Sequence, residues 1–123
     1  MINAAIVGLG WWGKQIVGSL QRRSGGIRFI RGVDADPDAV RAFAAEKGFP
    51  VTGEYEEILA DPEVEAVLIV TPHDLHESQI VRAAAAGKHV FCEKPLTLTR
   101  AAAERAVDAC EAAGVLLGVG HER

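Results

Sequence analysis

A glycine-rich loop directly after a short apolar run constrains the fold of this chain more than any other feature. Residues 4–7 are apolar, and residues 8–13 read Gly-Leu-Gly-Trp-Trp-Gly, which matches the pattern Gly-x-Gly-x-x-Gly. Between a strand and a helix, the first glycine permits a tight turn, the second lets the backbone approach a pyrophosphate, and the third allows close helix–strand packing. The pattern predicts a dinucleotide site at the amino end of a helix, where backbone N–H groups favour an anion. The candidate cofactor-binding residues in this loop are Gly8, Gly10, Trp11, Trp12 and Gly13, although the two tryptophans can instead pack on a neighbouring loop.

An acidic residue lies at the spacing that such a loop requires. Asp34 ends the second apolar run and follows Gly13 by 21 residues, close to the interval of about 20 residues in dinucleotide-binding units. A carboxylate there accepts hydrogen bonds from the adenosine ribose and repels a 2′-phosphate, which favours NAD over NADP. Asp36-Pro37 supplies a separate helix cap, which leaves Asp34 available for the ribose. Arg31 and Arg41 lie near enough in the sequence to keep NADP open as an alternative.

Strand and helix patterns alternate along the whole chain. Apolar runs typical of buried parallel strands occupy residues 4–7, 27–33, 64–70, 88–92 and 115–119, with a weaker one at 49–52. Helical patterns lie between them and end at Gly48, Gly87 and Gly114, where a positive φ turns the chain into the next strand. Residues 1–123 are therefore predicted to form one α/β domain. Its architecture is a doubly wound parallel sheet, the Rossmann fold, with about six strands and helices on both faces.

Composition and charge exclude several classes of protein. The 123 residues are 49% hydrophobic and 24% charged, with a net charge of −4, which describes a globular domain without the basic face that nucleic acids require. The first residues lack the basic segment of a secretion signal, and no apolar run approaches the ~20 residues of a membrane span. Cys92 and Cys110 form no CxxC pair, which predicts reduced thiols, a cytoplasmic protein and no metal site.

A second set of polar residues follows two of the later strands. Residues 71–76 read Thr-Pro-His-Asp-Leu-His, and residues 93–95 read Glu-Lys-Pro. The carboxyl ends of parallel strands meet at the ligand-binding edge of a sheet, so both segments are expected beside the glycine loop. Together with the loop, Asp34 and the closing residues 118–123, they make the whole chain resemble the Gfo/Idh/MocA family, which includes glucose-fructose oxidoreductase and inositol dehydrogenase. The Glu-Lys-Pro step is the most specific of these marks.

The resemblance implies an NAD(P)-dependent oxidoreductase that transfers hydride between the nicotinamide and a sugar, a polyol or a similar carbonyl compound. Lys94 would be the catalytic lysine, polarising the reacting oxygen or assisting its proton transfer, and Glu93 and Pro95 would shape the backbone beside it. A lysine drawn into a partly desolvated pocket has a lowered pKa, which suits this chemistry. Thr71, Pro72 and His76 would line the nicotinamide-ribose side of the pocket.

Several of these residues have alternative interpretations. Lys94 can be a solvated lysine paired with Glu93, and His76 can be a residue of a helix first turn that faces solvent. His73 stands where the family frequently has asparagine, so a cofactor contact through it is open. The histidines at 73 and 76 lack the further ligand spacing of a metal site. Cys92 is predicted to be a core residue rather than a nucleophile.

The family also implies a second, mostly antiparallel domain with the substrate pocket, which 123 residues cannot contain. The chain is therefore expected to bind NAD(H) but to have negligible turnover alone, with a sugar-like substrate and possible oligomers belonging to a longer protein. Neither nucleic acid nor a membrane is an expected partner. Two other functions remain open: a non-catalytic redox sensor or regulator that binds the dinucleotide, and a structural domain that binds none.

Overall fold

In a computed structural model, which describes residues 2–21, 26–72, 75–93 and 99–120, strands and helices alternate along the chain. The strands are β1 (Ile2–Val7), β2 (Ile27–Val33), β3 (Val51–Thr52), β4 (Ala66–Ile69), β5 (His89–Glu93) and β6 (Leu117–Gly120). The helices are α1 (Trp11–Leu20), α2 (Pro37–Lys47), α3 (Tyr55–Ala60), α4 (His76–Ala85) and α5 (Arg100–Ala113).

The strands form one parallel sheet in the order β3-β2-β1-β4-β5-β6. The chain builds outward from β1 in one direction through β2 and β3, then returns to the other side of β1 with β4. Val7 at the end of β1 pairs with Val33 of β2 and with Ile69 of β4, so three strands end at the same level. A crevice at the carboxyl ends of strands where the order reverses is the usual ligand site of such sheets. The prediction of a doubly wound Rossmann sheet is confirmed.

Alternate side chains of the central strands point into two separate cores. Ala4 and Ile6 pack with α1 and α2 on one face of the sheet, where Val17 and Ala44 are also buried. The intervening Ala5 and Val7 face the other core, which holds buried residues of α3, α4 and α5. This two-sided burial explains why the strand sequences are apolar throughout rather than alternating.

The helix boundaries follow the signals in the sequence. The Asp36 side chain accepts a hydrogen bond from the backbone N–H of Ala39 at the start of α2, and Gly48 ends that helix with a φ of 91°. Thr99 caps α5 in the same way through the N–H of Ala102, and Gly114 ends α5 with a φ of 73°. Each side-chain cap satisfies an N–H group that has no acceptor within its helix.

The strands were predicted in the right places, but some of the residues at which they begin were wrong. The strand predicted over 49–52 is only Val51–Thr52, because Phe49 instead fills the core under the sheet. The strand predicted from residue 64 begins at Ala66, since Val64 is buried in a turn whose N–H bonds to the Asp61 carbonyl. Helix α3 was not predicted, because six residues give too short a pattern to recognise.

An apolar groove of about 680 Å³ lies on the α1 side of the sheet, next to β4 and β5. Its walls include Leu68, Phe91 and, from α1, Trp12 and Ile16. Phe91 is 42% exposed within it. The helices described on this side cover the β1–β2–β3 half of the sheet, while α4 and α5 pack on the opposite face.

Candidate dinucleotide-binding site

A cleft of about 500 Å³ opens at the carboxyl ends of β1, β2 and β4. Gly8 and Gly10 line it from the glycine loop, Asp34 lines it from the end of β2, and Thr71 and Pro72 line it from the segment after β4. Residues separated by more than sixty positions in the sequence thus meet at one edge of the sheet. These five were all expected to contact a cofactor from the sequence.

The three glycines of the loop have three different surroundings. Gly8 turns the chain out of β1 with a φ of +103°, and its N–H donates to the carbonyl of Val33 at 2.9 Å. A Cβ added to Gly13 would lie 2.2 Å from the Gly8 carbonyl oxygen, so the helix and the turn approach as closely as only glycine allows. Gly10 has open space around it, with no atom within 4 Å of an added Cβ. The backbone at Gly10 is therefore accessible to a ligand.

Helix α1 begins at this loop and directs its positive end toward the cleft. Gly10 is the N-cap and offers no side-chain cap, and no acidic residue occupies the first turn. The first N–H groups of an α-helix have no acceptor within the helix, and the helix dipole adds partial positive charge there. The start of α1 is thus suited to an anionic group such as a pyrophosphate.

Asp34 is held rigidly between the glycine loop and the start of α2. Its Oδ2 accepts a hydrogen bond from the backbone N–H of Leu9 at 2.8 Å, and its Oδ1 accepts one from the N–H of Asp36 at 2.9 Å. Each carboxylate oxygen has two acceptor positions, so each retains the capacity to accept from a ribose hydroxyl. Asp36 caps α2 through its own side chain, as the sequence indicated.

The two arginines near Asp34 in the sequence are both engaged elsewhere. Arg31 donates to Asp61 at 2.6 Å, and Arg41 pairs with Asp38 on the exposed face of α2. A backbone hydrogen bond from Glu63 and the Arg31 guanidinium lower the pKa of Asp61, so this carboxyl stays charged and keeps its partner. Neither arginine is among the described residues that line the cleft.

The wall of the cleft also contains a short hydrogen-bond network that the sequence did not reveal. The Thr71 hydroxyl bonds to Oε1 of Gln79, and the Tyr55 hydroxyl donates to the Gln79 carbonyl at 2.8 Å. Burial raises the pKa of the Tyr55 phenol well above its ordinary value, which keeps it a neutral donor. The network joins α3, α4 and the segment after β4. Its only sequence signal was an aromatic residue in a helix too short to predict.

His76 lies behind the cleft wall rather than on its surface. Its side chain is fully buried at the start of α4, with Nε2 2.9 Å from the Thr71 carbonyl oxygen and Nδ1 3.2 Å from Cys92 Sγ. The interpretation as a solvent-facing residue is therefore wrong, and His76 is not among the described residues that line the cleft. Cys92 is itself fully buried, as expected of a core residue.

The two tryptophans of the glycine loop lie outside the described cleft wall. Trp11 is 72% exposed and stacks on Trp12, with ring centroids 5.8 Å apart. Trp12 lines the apolar groove, and neither ring is among the described residues of the cleft wall. Glu93 is the last residue of β5. Several residues used in the sequence analysis lie outside the described residues: His73, Asp74, Lys94, Pro95 and the closing residues 121–123.

Two further properties concern the membrane and metals. Within residues 2–21, 26–72, 75–93 and 99–120, no helix has both the length and the apolar character needed to cross a bilayer. The same described residues contain no group of three or more His, Cys, Asp or Glu side chains placed to hold a metal ion.

The order of the sheet, the glycine loop at its point of reversal and the acid after β2 define a dinucleotide-binding Rossmann domain. Residues 2–121 match the family described as "Oxidoreductase family, NAD-binding Rossmann fold". The chain belongs to this Gfo/Idh/MocA family of NAD(P)-binding oxidoreductases. The resemblance seen in the sequence is therefore confirmed.

Relatives of known activity are similar to the chain over nearly all of it. A 1,5-anhydro-D-fructose reductase from Ensifer adhaerens is 37% identical over 123 residues, which cover 98% of this chain and 35% of that protein. An inositol 2-dehydrogenase from Burkholderia ambifaria is 33% identical over 110 residues, 88% of this chain and 33% of that protein.

A solved structure shows the same fold with a nucleotide. A 3-ketoreductase mutant from Actinomadura kijaniata, in complex with TDP-benzene and NADP, superposes with a TM-score of 0.90 at 28% identity. The match covers 97% of this chain and 37% of that one. This chain thus spans about a third of the length of the relatives it matches.

Proposed function

We propose that this chain binds NAD(H) in the cleft between β1, β2 and β4, and that it is the cofactor domain of a longer dehydrogenase or reductase. The observation that carries the proposal is the hydrogen bond from the Leu9 N–H to the Asp34 carboxylate. It joins the loop suited to the pyrophosphate and the acid suited to the adenosine ribose into one rigid unit. Preorganised donors and acceptors of this kind bind without further ordering of the protein.

The residues present fit a dinucleotide on chemical grounds. The open space at Gly10 and the start of α1 would receive the pyrophosphate, and the carboxylate of Asp34 would accept from the ribose hydroxyls. Thr71 and Pro72, which also line the cleft, would contact the nicotinamide side of the cofactor. Bound NAD(P) would supply the hydride acceptor or donor, while the protein supplies position and charge.

NAD is the proposed cofactor in preference to NADP. A 2′-phosphate would lie beside the fixed negative charge of Asp34, and the ion pairs of Arg31 and Arg41 leave both cations directed to other carboxylates. Like charges in proximity reduce affinity unless a cation separates them. The ketoreductase from Actinomadura kijaniata was solved with NADP, so the preference belongs to individual residues of the site rather than to the fold.

The proposed reaction is hydride transfer to or from a sugar, a polyol or a related compound, with Lys94 as the catalytic residue. When an alcohol is oxidised, its proton leaves as hydride departs, and a nearby cation stabilises the developing negative oxygen. Lys94 directly follows Glu93 in the sequence, and Glu93 is the last residue of β5. The carboxyl ends of parallel strands share the edge of the sheet at which the cleft lies. The activities of the reductase and of the inositol dehydrogenase among its relatives support this class of substrate.

The longer protein is proposed to contain a second domain with the groups that recognise the substrate. This chain spans about a third of its relatives, so residues beyond its described cleft would complete the pocket. We accordingly expect the 123-residue chain to bind NADH and to have negligible turnover. Oligomerisation, if it occurs, would belong to the longer protein.

The cofactor proposal is tested by titrating the chain with NADH and NADPH, with tryptophan fluorescence as the signal. We expect NADH to bind more tightly, and Asp34→Asn to shift the ratio of the two Kd values toward NADPH by about tenfold, or about 1.4 kcal/mol. Asp36→Asn is the matched control, because it removes the same charge two residues away while asparagine retains the cap of α2.

Three results are informative in this titration. A shift in the ratio for Asp34→Asn alone supports the proposed site. An equal shift for both variants would mean that only net charge matters, which contradicts the role given to Asp34. Binding of neither nucleotide would favour the structural domain that the sequence left open.

A further inference from the structure

The ends of β4 and β5 are joined by a buried side chain at the point where their backbone pairing stops. Ile69 and Cys92 are the last paired residues of these two strands. Next to that pair, the His76 ring lies between the Thr71 carbonyl oxygen, at 2.9 Å, and Cys92 Sγ, at 3.2 Å. The ring and the thiol are both fully buried. Among the described residues, a histidine side chain thus adds a link at the last backbone pair of the two strands.

The partners of the ring define its hydrogen-bonding pattern. A carbonyl oxygen can only accept, so Nε2 of His76 carries a hydrogen and donates it to Thr71. A neutral imidazole then has its lone pair on Nδ1, which accepts from the S–H of Cys92. One tautomer of His76 therefore makes a hydrogen bond with the segment after β4 and another with β5.

Each end of this link leads to a residue of the proposed site. Thr71 lines the cleft, and its hydroxyl bonds to Gln79, which lines the cleft as well. Cys92 is followed by Glu93 and then by Lys94. A change in the position of the ring would move these two segments relative to each other.

We propose that His76 is a positioning residue, which sets the distance between the cleft wall at Thr71 and the end of β5 that leads into Lys94, through its hydrogen bond with the Cys92 thiol. This inference rests on the proposed function, because the distance matters only where a nicotinamide held beside Thr71 must meet the catalytic lysine. Misplacement of a reacting group by about 1 Å can reduce a rate by about a hundredfold. The adenosine half of the site, at Asp34 and the glycine loop, does not depend on His76.

The test compares three cysteine variants in the longer protein, with kcat, KM for substrate and Kd for NADH measured for each. Cys92→Ala removes the donor to His76, and Cys92→Ser restores an O–H donor in nearly the same place. Cys110→Ala is the matched control, since Cys110 is buried in the same core cluster and truncation leaves a cavity of the same kind. We expect Cys92→Ala to lower kcat about tenfold or more with the Kd for NADH within about twofold. Cys92→Ser should regain most of the loss, and Cys110→Ala should lower stability without changing kcat.

A second measurement is independent of turnover. Nitrogen NMR of the 123-residue chain should show hydrogen on Nε2 of His76 and none on Nδ1, and Cys92→Ala should alter the Nδ1 signal selectively. Equal kcat values for Cys92→Ala and Cys110→Ala would overturn the positioning role, and a hydrogen on Nδ1 would overturn the geometry behind it. Failure of the unmodified chain to bind NADH would instead contradict the proposed function, and it would leave the NMR result intact.

Discussion

At the scale of single residues, the glycines of α1 and its loop differ in what surrounds them. Gly13 is pressed against the carbonyl oxygen of Gly8, a backbone atom that cannot rotate away. Gly18, five residues further along the same helix, has nothing within 4 Å of an added Cβ. One position needs glycine for the approach of two backbones, while the other does not. Within one helix, glycine is therefore required by the structure at position 13 and is not required at position 18.

This contrast leads to a matched pair of substitutions. Gly13→Ala should destabilise the chain by about 2 kcal/mol or more, because overpacking against fixed backbone forces the loop to move. It should also weaken NADH binding. Gly18→Ala should stabilise the chain by about 0.5–1 kcal/mol, since alanine is the better helix former. Urea unfolding monitored by circular dichroism measures both, and equal stabilities would contradict the close approach seen at Gly13.

Some residues of the site could be predicted from the sequence because their signals are local. The spacing of Gly8, Gly10 and Gly13 and the interval to Asp34 reflect one strand–loop–helix–strand unit, so a reader of the sequence can find them. The burial of His76 has no such signal. Its partner Cys92 is sixteen residues away, and the contact arises only because β4 and β5 pair in a particular register. The register in which two strands pair cannot be predicted from the sequence of either strand alone.

At the scale of elements, α3 shows how a short helix can matter beyond its length. It has six residues, too few to be stable by itself. Tyr55 and Ile58 fix it by burial in the core, and the Tyr55 hydroxyl reaches across to the Gln79 carbonyl of α4. The helix is therefore held by tertiary contacts, and it contributes Tyr55 to the cleft wall. Long helices such as α5 could be predicted from periodicity and caps, whereas α3 could not.

Helix α3 gives the chain a defined response to alkali. Burial raises the pKa of Tyr55 above its unfolded value, so the folded state prefers the neutral phenol. The resulting stability is fully present below the unfolded pKa of about 10 and is lost as pH rises toward the higher folded pKa. We expect unfolding free energy to fall above about pH 10, and this fall to be smaller in Tyr55→Phe.

The measurement is simplified by the fact that Tyr55 is the sole tyrosine of the sequence. Its ionisation can be followed by ultraviolet absorbance without overlap from another phenol, alongside urea unfolding at each pH. Titration of the folded chain at the ordinary pKa of tyrosine would contradict the burial on which this expectation rests.

At the scale of the whole molecule, the alternation of apolar strands and capped helices determined the fold class, because each strand must be covered on both faces. The same pattern does not specify how much of each face is covered. The groove beside Phe91 and Trp12 depends on where the helices lie across the sheet, and composition does not contain that information. The same holds for the candidate site. Its location at the carboxyl edge of the sheet could be predicted from the topology, whereas the hydrogen-bond network at Gln79 could not.

The role proposed for Lys94 also belongs to the scale of the whole molecule, because it would require both the cofactor domain and a substrate pocket. In the longer protein, we expect Lys94→Ala to lower kcat by about a hundredfold or more, with little change in the Kd for NADH, since general acid–base assistance acts on the reacting oxygen. Lys47→Ala at the end of α2 is the control, as it removes a lysine remote from the cleft.

The assay would measure oxidation of a panel of sugars and polyols with NAD. It would also measure reduction of the corresponding carbonyl compounds with NADH. An unchanged kcat in Lys94→Ala would remove this residue from the mechanism. Tight NADH binding by the unmodified protein without turnover of any compound would favour the non-catalytic sensor instead.

The contact between Gly13 and the Gly8 carbonyl oxygen has a genetic consequence. Every amino acid other than glycine carries a Cβ, so each non-silent change of the Gly13 codon brings an atom into space that backbone already occupies. Selection at this position acts on the presence of a side chain, whatever its chemistry. A lineage that keeps this loop can therefore accept a Cβ at Gly18, while codon 13 is restricted to the four synonyms for glycine.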